Sequence, residues 1–130
     1  MLSQIADSMT PKGWAWFFPY AYGGLAPIKF SAISYAGHTP TDGTGLTWQL
    51  LIKAARSDLD SAAIIDAVEA DMTILDTPLI VGYNLDTLTA GFEPGTAYYG
   101  ELWVVDPTYG RQMVAPFIVA LSSPLKLTYP

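Results

Sequence analysis

The chain holds one histidine, no cysteine and twelve acidic residues, and any catalytic or metal chemistry would have to be assembled largely from these. His38 stands in a Gly-, Pro- and Thr-rich stretch, Gly37 to Gly45, with no second histidine and no thiolate. With no Cys or His partner, it favours a solvated loop residue over a zinc set or a serine-histidine pair. The acids gather at Asp58, Asp60, Asp66, Glu69, Asp71 and Asp76. Asp58-Leu59-Asp60 lacks the turn glycine and terminal glutamate of a calcium loop, which leaves a solvated acidic face. Glu93, Glu101 and Asp106 offer carboxylates for glycoside hydrolysis, but nothing in their spacing singles out two of them, and such a pair is defined by separation in space. No Gly-x-Ser-x-Gly elbow and no glycine-rich Lys loop occurs. The reading is a protein with no catalytic residue, no cofactor and no metal.

The remaining chemistry is apolar. Hydrophobic residues make up 51% of the chain, aromatics 13% and charged residues only 14%, where a soluble domain carries about a quarter charged. Some of that apolar surface is expected to meet a partner. The candidate interface residues are Trp14, Trp16, Phe17 and Phe18 in the N-terminal aromatic run, with Trp103, Val114 and Ile118 further on. A formal charge of −6 argues against a nucleic-acid surface and against an anionic membrane. Met1 to Thr10 has no positive charge and no long apolar run follows before Lys12, so no signal peptide is read there, nor does any stretch reach the length of a membrane span.

These residues need a scaffold, and 130 residues suffice for one domain that buries roughly two-thirds of its unfolded surface without disulfides. The chain divides into an arm at 1–12, a single domain at 13–123 and a tail at 124–130. Its centre is Gly91 to Pro107: a Pro94-Gly95 turn, then the strand Tyr98 to Asp106, ended by Asp106-Pro107. Alternation puts Tyr98, Leu102 and Val104 on the core face and Tyr99, Glu101, Trp103 and Val105 on the other. Tyr98, just after the turn, fits a tyrosine corner. Leu46 to Lys53 is the cleanest period-two segment, with Leu46, Trp48, Leu50 and Ile52 inward and Thr47, Gln49 and Lys53 outward. Trp14 to Tyr22 contains Pro19 and is an edge strand at most. Ile28 to Tyr35 reads as a strand with Ile28, Phe30 and Ala32 inward, and Leu79 to Asp86 as another. Gln112 to Leu121 pairs with Tyr98 to Asp106 as a hairpin with a loop of about five residues. Its odd positions Met113, Ala115, Phe117, Val119 and Leu121 face the core, and Val114, Pro116 and Ile118 on the even side suggest a second covering. Pro116 marks an edge or a bulge. Over Ser57 to Leu75 a short helix near 57–70 competes with two short strands or connectors, Ala63 to Val68 and Met72 to Leu75, and the flanking β pattern favours the latter.

The sum is an all-β, immunoglobulin-like sandwich of about seven strands. Ala26-Pro27-Ile28-Lys29-Phe30, the loop Pro40-Thr41-Asp42-Gly43-Thr44-Gly45, the strand Leu46 to Lys53, and Thr87 to Tyr99 with its following hairpin together resemble the immunoglobulin-like domain of phage baseplate and tail-fibre proteins. The resemblance covers about residues 26 to 121. Phe92-x-Pro94-Gly95-Thr96-x-Tyr98 is also similar to the corner of fibronectin type III domains. The phage resemblance implies a structural virion protein of tail, baseplate, fibre anchor or head surface, assembled in the host cytoplasm, non-enzymatic, bound to other virion proteins and homo-oligomeric. Gly43-Thr44 stands where the phage pattern has Leu-Thr, and the chain ends soon after its last strand, which points to a small accessory subunit. The alternative is a carbohydrate- or host-surface-binding module, with Trp14, Trp16, Tyr20 or Tyr22 stacked on sugars.

Overall fold

The computed structural model describes residues 16–123. The arm at 1–12, Trp14 and the tail at 124–130 lie outside the described residues. Eight strands form two packed sheets: β1 (Trp16–Ala21), β2 (Leu25–Phe30), β3 (Thr47–Lys53), β4 (Ile65–Val68), β5 (Thr73–Leu75), β6 (Ile80–Asp86), β7 (Thr96–Asp106) and β8 (Gly110–Ser122). The larger sheet has the order β1-β8-β7-β3-β4 and the smaller β2-β6-β5. The protein is an all-β sandwich. Pairing is antiparallel except that β1 runs parallel to β8.

Alternation decides what fills the space between the sheets. Trp48, Leu50 and Ile52 of β3, Leu102 and Val104 of β7, and Phe117, Val119 and Leu121 of β8 meet Ile28 and Phe30 of β2 and Val81 and Leu85 of β6, all buried. The tyrosine corner is present: the Glu93 N–H donates to the buried Tyr98 hydroxyl at 2.7 Å, and Phe92 meets the Tyr98 ring edge-on at 4.8 Å between centroids. The stretch 57–70 carries no long helix. Two single-turn 3-10 helices, Asp60–Ala62 and Glu69–Asp71, flank β4.

Several expectations are corrected. The strand read from Ile28 to Tyr35 ends at Phe30, because Ala32 takes a φ of +53°, and Ile33 and Tyr35 reach the core from the following loop. The hairpin connection is shorter than five residues, since Asp106 pairs directly with Gly110. Met113 is not core. The register runs Leu102 with Ala115 but Trp103 with Met113, so Val114 is the extra residue of a bulge; it packs against the core and Met113 turns outward. Pro116 is beside that bulge and not at an edge, since β8 lies between β1 and β7.

The four strand edges are each blunted. Pro19 sits in β1, Pro27 and Lys29 sit in β2, and β5 is only three residues long. On β4 the Val68 N–H is occupied by Asp71 Oδ2 at 3.2 Å. Among the described residues, strand addition is discouraged at these four edges.

Candidate interaction face

The outward face of the larger sheet can be read row by row from the strand registers. Val68, Gln49, Trp103 and Met113 form one row across β4, β3, β7 and β8; Asp66, Leu51, Glu101 and Pro116 form the next; Lys53, Tyr99, Ile118 and Phe17 form the third, reaching β1. Thr47, Val105 and Arg111 lie above these rows and Ala97, Ala120 and Pro19 below. Val105 and Met113 are 48% and 39% exposed, and Phe17, Tyr99, Trp103, Pro116 and Ile118 are half-buried.

One side of this face is walled. Lys53, expected outward in water, is only 4% exposed, because the 3-10 turn at Asp60 folds over the end of β3. Its ammonium donates to Asp60 Oδ1 at 2.7 Å and to the Asp58 carbonyl at 3.1 Å, with Glu101 Oε2 at 3.7 Å. The bond to Asp60 holds the Lys53 pKa above its usual value against the opposing effect of burial, and Glu101 adds to the rise. The same bond holds Asp60 below the usual carboxylate range. Leu51, on the same outward side, is fully buried.

Trp103 points outward as expected and is covered from within the chain. The Arg111 guanidinium lies 3.7 Å from its ring centroid, donates to Gln49 Oε1 at 3.3 Å and stands 4.0 Å from Asp60 Oδ2. The Trp103 Nε1–H donates to Glu101 Oε1 at 2.8 Å, and Gln49 Nε2 donates to Asp66 Oδ1 at 2.9 Å. Arg56 lies 5.4 Å over the Tyr99 ring, whose hydroxyl burial pushes up in pKa, with Glu101 adding to the rise. The result is an apolar floor over β7, β8 and β1, bordered by a charged wall of Arg56, Asp60 and Arg111.

The candidate interface residues therefore divide. Phe17, Trp103 and Ile118 share the outward face. Phe18 is 7% exposed and stands edge-on to Phe30 and Phe117 between the sheets, so its ring belongs to the core. Trp16 packs on the same cluster, edge-on to Phe30 at 5.5 Å, and Val114 also packs inward. Tyr20 and Tyr22 pack against the core too, and the Tyr20 hydroxyl donates to the Pro27 carbonyl. The sequence reading missed the Lys53, Asp60 and Arg111 network. The one signal for it was Leu50-Leu51-Ile52, which breaks alternation and requires a covering on both faces.

The residues considered for chemistry are occupied with structure. Asp58 accepts the Ala55 N–H at 3.1 Å, Glu69 the Trp48 N–H at 3.2 Å and Asp76 the Gly43 N–H at 2.8 Å, so the acidic cluster is spent loop by loop. Among the described residues no group of three or more His, Cys, Asp and Glu could hold a metal. Asp106 is buried, facing away from Glu101, and accepts the Tyr35 O–H at 2.6 Å and the Thr108 and Tyr109 N–H groups at 2.7 and 3.2 Å. The Tyr35 hydrogen bond, outweighing burial, holds the Asp106 carboxyl low, while burial and that carboxylate push the Tyr35 phenol far up. His38 is not free in solvent: its ring stacks on Tyr109 at 5.3 Å and its backbone exchanges two hydrogen bonds with Tyr35 at 2.9 and 2.8 Å. No protein-family model matches the chain, and no curated protein matches it.

Proposed function

We propose that this chain is a non-enzymatic structural subunit of a phage particle that docks onto other virion proteins through the outward face of its larger sheet. The observation that carries the docking reading is the floor formed by Phe17, Tyr99, Ile118, Pro116 and Met113, apolar side chains left partly open on a sheet whose inner face already fills the core. The phage assignment rests on the loop and corner motifs of the sequence. The sugar-binding alternative needs the N-terminal aromatics in a groove open to water, whereas Trp16, Tyr20 and Tyr22 are packed against the core. Gradient-purified particles of the phage that encodes the chain will contain it at a fixed copy number by quantitative mass spectrometry; particles that lack it refute the virion reading.

A further inference from the structure

We propose that residues 54–63, which join β3 to β4, form a strap that opens as a unit without unfolding of the sandwich, and so sets how far the apolar floor extends across the larger sheet. In the closed form the strap completes a run of contacts along the outward side of β3. The Arg111 guanidinium donates to Gln49 Oε1 at 3.3 Å and stands 4.0 Å from Asp60 Oδ2, and Asp60 Oδ1 accepts from the Lys53 ammonium at 2.7 Å. Leu51 lies between Gln49 and Lys53 on that side of β3, beneath this run. It is fully buried although it is not part of the core between the sheets.

The strap is held down differently from the strands. None of residues 54–63 is buried: Asp58 and Ala63 are half-buried, the rest are exposed, and Leu59 is 74% exposed. Apolar burial therefore contributes little to closing it. Its polar ties to the sheet all involve a cation: Lys53 on Asp60 and on the Asp58 carbonyl, Arg111 beside Asp60, and Arg56 over the Tyr99 ring at 5.4 Å. Water can take the place of each of these partners, and exposed ion pairs hold weakly. The other hydrogen bonds of the strap are internal and move with it. The Asp58 N–H donates to the Ala55 carbonyl, the Ala55 N–H to Asp58 Oδ2, the Ala62 N–H to the Leu59 carbonyl and the Ala63 N–H to the Asp60 carbonyl. At its base the Ile64 N–H donates to the Ile52 carbonyl at 2.7 Å, where β3 and β4 begin to pair. A segment that keeps its own hydrogen bonds and buries no side chain opens at a small part of the global unfolding free energy. Opening uncovers Leu51 and the Lys53 ammonium beside Glu101 and Tyr99, their partners on β7, so the floor grows from β7 onto β3.

Because the chain has no cysteine, a single introduced thiol reports what the strap covers. Three full-chain variants are compared with a maleimide in excess: Leu51→Cys beneath the strap, Leu102→Cys in the core and Met113→Cys on the open part of the same face. Urea unfolding of each gives the labelling rate that global unfolding alone would allow. Leu51→Cys is expected to label at least ten times slower than Met113→Cys and at least ten times faster than its own global rate, while Leu102→Cys keeps to its global rate. Adding Asp60→Ala, which removes the carboxylate between Lys53 and Arg111, is expected to speed Leu51→Cys at least fivefold beyond any change in global stability. An independent reading needs no cysteine: in the wild type, acylation of Lys53, 4% exposed, is expected to run at least ten times slower than that of exposed Lys29, and Asp60→Ala to narrow the gap. Leu51→Cys labelling only at its global rate would mean that the strap opens with the whole domain, and labelling as fast as Met113→Cys that nothing covers Leu51. Either result overturns the proposal, as do a Leu102→Cys rate equally far above its global rate, equal acylation of the two lysines, or no response to Asp60→Ala.

Discussion

The tip of the Phe117 ring lies against Gly100, its direct partner on the neighbouring strand, and a Cβ at position 100 would come within 2.1 Å of the ring Cζ and 2.2 Å of Cε2. A glycine in mid-strand is normally unfavourable. Here it is the only residue that lets the ring lie at the centre of the core, where it also meets Phe18 at 5.8 Å and Phe30 at 5.2 Å. Gly100→Ala is expected to destabilise the domain by about 1–3 kcal/mol through overpacking, and Phe117→Ala by about 3–5 kcal/mol through the cavity it leaves. Urea unfolding of both single variants and the double variant will show strong non-additivity, with the added methyl costing much less once the ring is gone. Additive effects would mean that the ring does not rest on Gly100.

The tyrosine corner ties the Glu93 loop to the start of β7 through one hydrogen bond. Tyr98→Phe keeps the ring and removes the acceptor of the Glu93 N–H, at an expected cost of about 1–2 kcal/mol. A loss below the error of the unfolding measurement would show that water replaces the hydroxyl.

Leu102 and Trp103 are neighbours with opposite duties. Leu102 is fully buried between the sheets, so Leu102→Ala is expected to cost about 2–5 kcal/mol. Trp103→Ala removes an outward ring, its stack with Arg111 and its Nε1–H bond to Glu101, and the thermal midpoint should fall much less than for Leu102→Ala. Equal losses in the two variants would place Trp103 in the core.

The Lys53–Asp60 pair gives stability a defined pH dependence. Lys53 is raised above its ordinary value of 10.5 in the folded protein, so its contribution is full below that value and is lost as pH rises through the higher folded pKa. Asp60 is lowered from 3.8, so its contribution is present above 3.8 and is lost as pH falls through the lower folded pKa. Wild type should lose stability above about pH 10.5, and Lys53→Met should lose less over the same range when urea midpoints are compared. An identical alkaline slope in the two proteins would show that the pair carries no such linkage.

The sandwich was legible where apolar and polar residues alternate. Leu46 to Ile52 and Tyr98 to Val104 show the period plainly, and Phe92-Glu93-Pro94-Gly95 with Tyr98 announces the corner. The interaction face was less legible, because Trp16-Phe17-Phe18 is apolar at every position and has no phase to read. Only the pairing of β1 with β8 shows that Phe17 points outward and Phe18 inward. Met113 and Val114 exchanged places for a different reason: one bulge residue reverses the alternation beyond it, and nothing local marks it. Burial of Lys53 depends on a turn seven residues away, Asp60, which period-two reasoning within β3 cannot include.

The central claim is that the outward face of the larger sheet receives the partner. Phe17→Asp on that face and Leu25→Asp on the outward side of the smaller sheet each add one carboxylate at an outward-facing strand position, and both variants should remain folded by circular dichroism. The direct test is the amount of each variant in gradient-purified particles, measured by quantitative mass spectrometry against wild type. The account predicts that Leu25→Asp is incorporated at the wild-type level and Phe17→Asp is lost at least tenfold; a folded Phe17→Asp variant incorporated at the wild-type level would contradict it.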